Sequence, residues 1–261
     1  MTAGRPLDGP RGPGGRFDGR VALVTGAGSG IGAACAARLA AAIRSGGGTA
    51  TALTCDVSDE EQVAAALAEL LASYGRLDVV HSNAAALGRD VYGRDQHLET
   101  LDADVWDRTM AVNLRGPMLL VKHAGPRMAD GGAFVLTSSV SGLTGDLDHA
   151  AYGTSKAALN GFVRYVATTY GPRGIRCNAV APALVLTDAA RLALGPDRMA
   201  DKAAERLLPW ACTPGDVADL VAFLASDEAR CVTGQTVVID CGTLAHRPEH
   251  AVHQWRLGGA P

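Results

Sequence analysis

Aromatic residues are scarce in this 261-residue sequence, at 5%, so the 48% that is hydrophobic is largely aliphatic and alanine-rich. An excess of one charge is also missing. The net charge is -3 with acids and bases dispersed, which excludes the basic face that a nucleic-acid partner requires. No apolar run reaches the ~18 residues needed to span a bilayer, so no membrane segment is expected. Residues 1–16 are rich in Gly, Pro and Arg and lack the apolar stretch of a secretory signal. Cys35, Cys55, Cys177, Cys212, Cys231 and Cys241 form no C-x-x-C pair and no metal-ligand spacing. They read as reduced thiols of a cytoplasmic protein, with no metal site. Internal repeats and linkers are absent as well, so one domain is expected over residues 17–242. It would lie between a flexible arm (1–16) and a tail (243–261).

What is present is an alternation of short apolar runs and helical patterns. The expected strands are 19–24, 49–55, 77–81, 132–137, 175–180 and 236–240. The expected helices are 33–45, 59–74 (with Ser58 as N-cap), 102–128 (kinked at Pro117), 151–170, a helical region over 187–208, and 214–224 with Pro214 in its first turn. This alternation implies an α/β fold with a single doubly wound parallel sheet, Rossmann-like, and a site at the carboxyl ends of its strands.

Two local patterns carry chemistry. The run 19–24 feeds Thr25-Gly26-Ala27-Gly28-Ser29-Gly30-Ile31-Gly32, after which an alanine-rich helix starts. Strand, glycine-rich turn and helix is the context in which backbone N–H groups and the helix dipole hold a pyrophosphate. Farther on, Tyr152 and Lys156 are four apart and share one helix face. An ammonium beside a phenol favours the phenolate, which suits the pair to proton transfer at a substrate oxygen. The plainer alternative is an amphipathic helix with a buried Tyr and a solvated Lys. Nearby His149 reads as a solvated loop histidine. His246, His250 and His253 lack partners at metal-ligand spacing. Trp106 and Trp210 read as packing residues, with Trp210 also able to line a cleft.

Taken together, these motifs resemble the short-chain dehydrogenase/reductase family from about Phe17 to Gly242. Thr25 to Gly32 is similar to its T-G-x-x-x-G-x-G turn, and Asp56-Val57 to its adenine-contacting pair. Ser82-Asn83-Ala84-Ala85 is similar to its N-N-A-G strand end. Asn113 matches a helix asparagine, Ser139 stands thirteen residues before Tyr152, and Pro182 to Thr187 resembles P-G-x-x-x-T. The resemblance implies hydride transfer between a nicotinamide cofactor and a small-molecule alcohol or ketone. Tyr152 would be the acid/base, Ser139 the holder of the substrate oxygen, Lys156 the modulator of Tyr152 and a ribose ligand, and Asn113 the holder of a water. Implied cofactor contacts are Gly26, Ser29, Gly30, Ile31, Asp56, Val57, Asn83, Tyr152, Lys156 and Thr187. Ser29 leans toward NAD, with NADP left open. The resemblance also implies a homo-oligomer, as a tetramer, packed through helices 102–128 and 151–170.

The sequence departs from that pattern at four places. Ala85, Ala183 and Cys241 stand where glycines are expected, which strains the chain only where φ is positive. More important, residues 33–55 contain no acid. A strand and part of a helix after the glycine-rich turn, the element that grips the adenosine ribose, are expected to be missing. The strand expected at 49–55 would then lie beside the first strand, with Asp56 at its end. The competing function is a relative with impaired cofactor binding that serves as a non-catalytic binding or scaffolding subunit.

Overall fold

Short apolar runs become strands where helices cover both of their faces. The computed structural model describes residues 16–44, 50–247 and 249. Five strands, β1 (Ala22–Val24), β2 (Val79–Ser82), β3 (Ala133–Thr137), β4 (Arg176–Pro182) and β5 (Thr236–Ile239), pair in that order, all parallel. Side chains alternate across the sheet as a period of two demands. Val79, Val135 and Val180 enter the core beneath α1 (Gly30–Arg44) and α8 (Pro214–Ala225). Val80, Phe134, Leu136, Cys177 and Ala179 enter the opposite core. That second core is closed by α2 (Glu60–Tyr74), α4 (Gly116–Ala124) and α5 (Ala150–Tyr170). The sheet is therefore covered on both sides, as the sequence implied.

The helices differ from expectation in instructive ways. Asp59, not Ser58, caps α2, accepting the amides of Glu61 (2.9 Å) and Gln62 (3.1 Å). Ser58 turns back to Asp56 instead. The helix expected over 102–128 keeps helical backbone from Ala103 to Arg127 but changes its winding: α3 (Ala103–Met110), a five-residue π-helical turn (Ala111–Arg115), α4 and a closing 3-10 turn (Gly125–Arg127). The π-helical turn precedes Pro117, which sits in the first turn of α4, where its missing N–H is tolerated. The region 187–208 holds two short helices, α6 (Asp188–Ala193) and α7 (Pro196–Ala204). Thr213 forms a reciprocal capping box with Asp216 ahead of Pro214.

One strand is not formed. Residues 50–55 belong to no sheet, and β1 pairs only with β2. The expectation of a strand beside β1 ending at Asp56 is therefore corrected. Its residues are small or hydroxylated, and only Leu53 and Cys55 are partly buried. That is too little apolar surface for a strand covered on both faces. The segment is tied to α2 instead, by a 2.6 Å hydrogen bond between the hydroxyls of Thr51 and Tyr74. The arm, apart from Arg16, the tail beyond Arg247, apart from Glu249, and residues 45–49 lie outside the described residues.

Candidate active site

The carboxyl ends of β1, β2, β3 and β4 lie at one edge of the sheet, and the residues singled out in the sequence other than Asp56 and Val57 stand on or beside the segments that follow them. The glycines of the first turn are dictated by space. Gly26 and Gly30 have φ of 64° and 51°. A Cβ on Gly32 would stand 2.1 Å from the Gly26 carbonyl oxygen, and one on Gly26 would stand 2.9 Å from the Ala84 Cα. The turn is held open from β2. The Thr25 hydroxyl accepts the amides of Asn83 (2.9 Å) and Ala84 (3.1 Å), and Asn83 Nδ2 donates to the Thr25 carbonyl at 3.3 Å. Ser29 is exposed at the mouth, while Ile31 packs into the α1/α8 core. Thr187 caps α6 through the Ala190 amide (3.1 Å) and closes over the turn. Its methyl lies 3.2 Å from where a Cβ on Gly30 would be. This cradle admits backbone only, and α1 begins without an acid in its first turn. It fits a pyrophosphate at a positive helix end.

The second half of the site is built from β3 and α5. Three neighbouring serines are distinguished by their partners. Ser138 gives its hydroxyl to Asn160 (2.7 Å) and the Lys156 carbonyl (3.1 Å). Ser141 gives its amide to Ser139 Oγ at 3.2 Å. Ser139, extended at φ -161° and ψ 158°, presents its hydroxyl near the Tyr152 phenol and favours its ionised form. The approach is close because glycines line it. A Cβ on Gly142 would stand 2.6 Å from the Lys156 carbonyl carbon, and one on Gly153 would stand 2.9 Å from the Ser141 carbonyl oxygen.

Lys156 is not solvated. It is 2% exposed, donates to the Thr137 carbonyl at 2.7 Å and holds its Nζ 5.5 Å from the centre of the Tyr152 ring. Burial pulls its pKa down to about 8. Burial also pushes the Tyr152 phenol above its ordinary value, and Ser139 is the group that draws it back. The expected lowering by Lys156 is therefore corrected for this arrangement, in which the ammonium is aimed at a carbonyl. Asn113, fully buried in the π-helical turn, spends its side chain on the Ala86 amide (2.8 Å) and on Ser155 Oγ (3.1 Å).

Asp56 and Val57 lie elsewhere. The Asp56 carboxylate accepts the Ser58 amide (2.9 Å) and hydroxyl (2.6 Å) and pairs with Arg108 at 3.5 Å. Those bonds hold its pKa below the usual carboxylate value. Val57 packs against Gly116 at the start of α4. His149 is not a solvated histidine. It is half-buried at φ 64°, stacked on Tyr92 at 4.0 Å, with its Nδ1 unpartnered. Trp210 is 61% exposed rather than packed. His246 bonds the carbonyls of Glu205 and Arg247, and no cluster of metal-binding residues occurs among the described residues. The hydroxyl roles of Thr25, Thr137 and Ser155 were not read from the sequence, since single hydroxyls acting on distant residues leave no spacing to read.

Comparison with known proteins agrees with this geometry. A family model described as enoyl-(acyl carrier protein) reductase matches residues 27–243. A probable short-chain type dehydrogenase/reductase of Bradyrhizobium diazoefficiens is 42% identical, covering 91% of this chain and 92% of that protein. A 7alpha-hydroxysteroid dehydrogenase of Bacteroides fragilis is 33% identical over 89% of this chain and 97% of its own. A short chain dehydrogenase from Burkholderia cenocepacia, solved in complex with NADP, superposes with a TM-score of 0.80 at 31% identity, covering 88% of this chain and 99% of that one. The chain belongs to the short-chain dehydrogenase/reductase family. It is thereby an NAD(P)-dependent dehydrogenase.

Proposed function

We propose that the protein interconverts a small-molecule alcohol and its ketone with a nicotinamide cofactor, Tyr152 being the acid/base. The observation that carries this reading is a series of hydrogen bonds linking the glycine turn to Lys156, whose Nζ lies 5.5 Å from the centre of the Tyr152 ring. Lys156 donates to the Thr137 carbonyl, the Thr137 hydroxyl donates to Asn83 at 3.2 Å, and Asn83 donates to the cradle at Thr25. When bound, the nicotinamide supplies or accepts the hydride. Ser139 and Tyr152 hold the substrate oxygen between their hydroxyls. Tyr152 gives its proton to that oxygen in reduction and takes it in oxidation, while Lys156 stays bonded to the Thr137 carbonyl beside it. Asn113, whose side chain is taken up by the Ala86 amide and Ser155, would hold a water that relays protons toward Lys156, as the family resemblance implies.

Gly26, Ser29, Gly30, Ile31, Asn83 and Thr187 would hold the pyrophosphate and nicotinamide end. Ser29 supports NAD, while the relative solved with NADP supports testing both. We read the sheet edge at β1 as loss of one strand and part of one helix after the cradle. Asp56, engaged with Ser58 and Arg108, would approach the adenosine only from that far side. This edge is also what favours the second reading, a non-catalytic binding subunit. Six free cysteines support a cytoplasmic setting. An apolar depression of about 850 Å³ on α3, α4 and α5, bounded by Met110, Ala111, Leu114, Met118 and Phe162, supports a homo-oligomer; light scattering at the monomer mass of 26.8 kDa would remove that part.

The test is Tyr152→Phe. Turnover of NADH with a ketone panel should fall at least ~100-fold while the NADH dissociation constant stays within about twofold. Retained turnover would take Tyr152 out of the mechanism.

A further inference from the structure

Helix α5 carries Tyr152 and Lys156 but does not cap itself. Its N-cap, His149, sits at φ 64° and offers no side-chain bond to the first turn. The first intrahelical bond runs from the Gly153 amide to the His149 carbonyl at 2.8 Å. The amides before it need a partner from outside, since buried and unpaired they would be costly.

That partner is Asp95, a fully buried residue 57 positions before Tyr152. Its Oδ2 accepts the Tyr152 amide at 2.8 Å and its Oδ1 the Ala151 amide at 3.2 Å. Its backbone carbonyl accepts the His149 amide at 2.9 Å. Two carboxylate oxygens thus meet two neighbouring amides at the positive end of a 21-residue helix. Asp95 is itself fixed through its own amide, which donates to the Val91 and Tyr92 carbonyls. Tyr92 reaches the same place from its aromatic side. It stacks on His149 at 4.0 Å and meets the Tyr152 ring edge-on at 5.2 Å and 86°. The loop between β2 and α3 therefore grips α5 at the very residue that bears the phenol.

We propose that Asp95 is a positioning residue for Tyr152, holding the phenol in register with Ser139 by anchoring its backbone amide from the β2–α3 loop. The proposal rests on Tyr152 being the proton-transfer group. An anchor on that amide sets where the phenol oxygen sits, and displacement by about 1 Å costs on the order of 100-fold in rate. Asp95 makes none of the bonds that hold the glycine turn, so nucleotide affinity should depend on it little.

The experiment uses full-length D95A and D95N, read by turnover, by NADH fluorescence titration and by amide hydrogen exchange. D95A should lower kcat at least ~30-fold, with the NADH dissociation constant within about twofold of the parent. D95N keeps one carbonyl acceptor of the same shape and should recover kcat to within about tenfold of the parent. In both, the Ala151 and Tyr152 amides should exchange at least ~10 times faster while those of Leu159 and Val163 do not change. An unchanged kcat, an equal loss of NADH affinity, or unaltered exchange at Tyr152 would overturn the proposal. Should D95A fail to fold, D95N decides alone, with a loss of about threefold or more at unchanged NADH affinity expected. If the parent protein turns over no alcohol or ketone, the functional reading fails on its own, and exchange at Tyr152 in D95N still tests the anchor.

Discussion

His81 shows how one residue can set the acid limit of this protein. It is fully buried in β2, with Nδ1 at 3.0 Å from the Val135 carbonyl and Nε2 without a partner. Burial drives its pKa from 6.5 down to about 4. The neutral ring is thus favoured in the folded state, and the stability it lends is present above the unfolded value of 6.5. It is lost as pH falls toward 4, because the unfolded chain takes up a proton that the folded one refuses. Urea unfolding should show a loss of about 2 kcal/mol between about pH 7 and about pH 5, at ~1.4 kcal/mol per unit. His81→Val should flatten that difference; an equal pH dependence in the variant would show that other groups are responsible. At the same scale, the nearness of Tyr152 and Lys156 was legible because their spacing is local. Four residues on a helix bring Tyr152 and Lys156 to one face whatever else the chain does. The burial of Lys156, the role of Asp95 and the stacking of His149 depend on residues far away in sequence, so no pattern announced them.

Elements were legible where the chain closes its own hydrogen bonds. The glycine turn, α2, α5 and α8 formed close to where they were read, α2 and α8 with a side-chain cap of their own. The strand expected at 49–55 failed for the opposite reason, because a strand exists only through neighbours and covered faces. The missing glycines tell a graded story. Among the described residues other than glycine, only His149 and Cys241 have positive φ, so Ala85 and Ala183 are unstrained. Cys241 is held at 54°, and its carbonyl accepts the amides of Leu207 (3.0 Å) and Leu208 (3.1 Å), tying the segment after α7 to the end of β5. A left-handed conformation costs a residue with a side chain roughly 1 kcal/mol relative to glycine. Cys241→Gly should therefore raise stability by about that amount in thermal unfolding. A loss of stability would show that the thiol's packing against the α1/α8 core outweighs the backbone strain.

For the whole molecule, the doubly wound sheet and its site at the carboxyl edge follow from the alternation of elements. What the alternation does not decide is how the chain ends its sheet. Among the described residues it ends at β1, and α1 and α2 cover opposite faces with no strand beyond. Among the described residues no helix is long and apolar enough to cross a membrane. Hydrogen bonds join the glycine turn to Lys156 through Asn83 and Thr137, so on the proposed reading the nucleotide should be held chiefly by its pyrophosphate and nicotinamide halves. The most direct test is a fluorescence titration of NADH and NADPH with the full-length protein. We expect saturable binding of at least one nucleotide with a dissociation constant between roughly 1 μM and 1 mM. No binding of either at about 1 mM would contradict the oxidoreductase reading and leave the non-catalytic one.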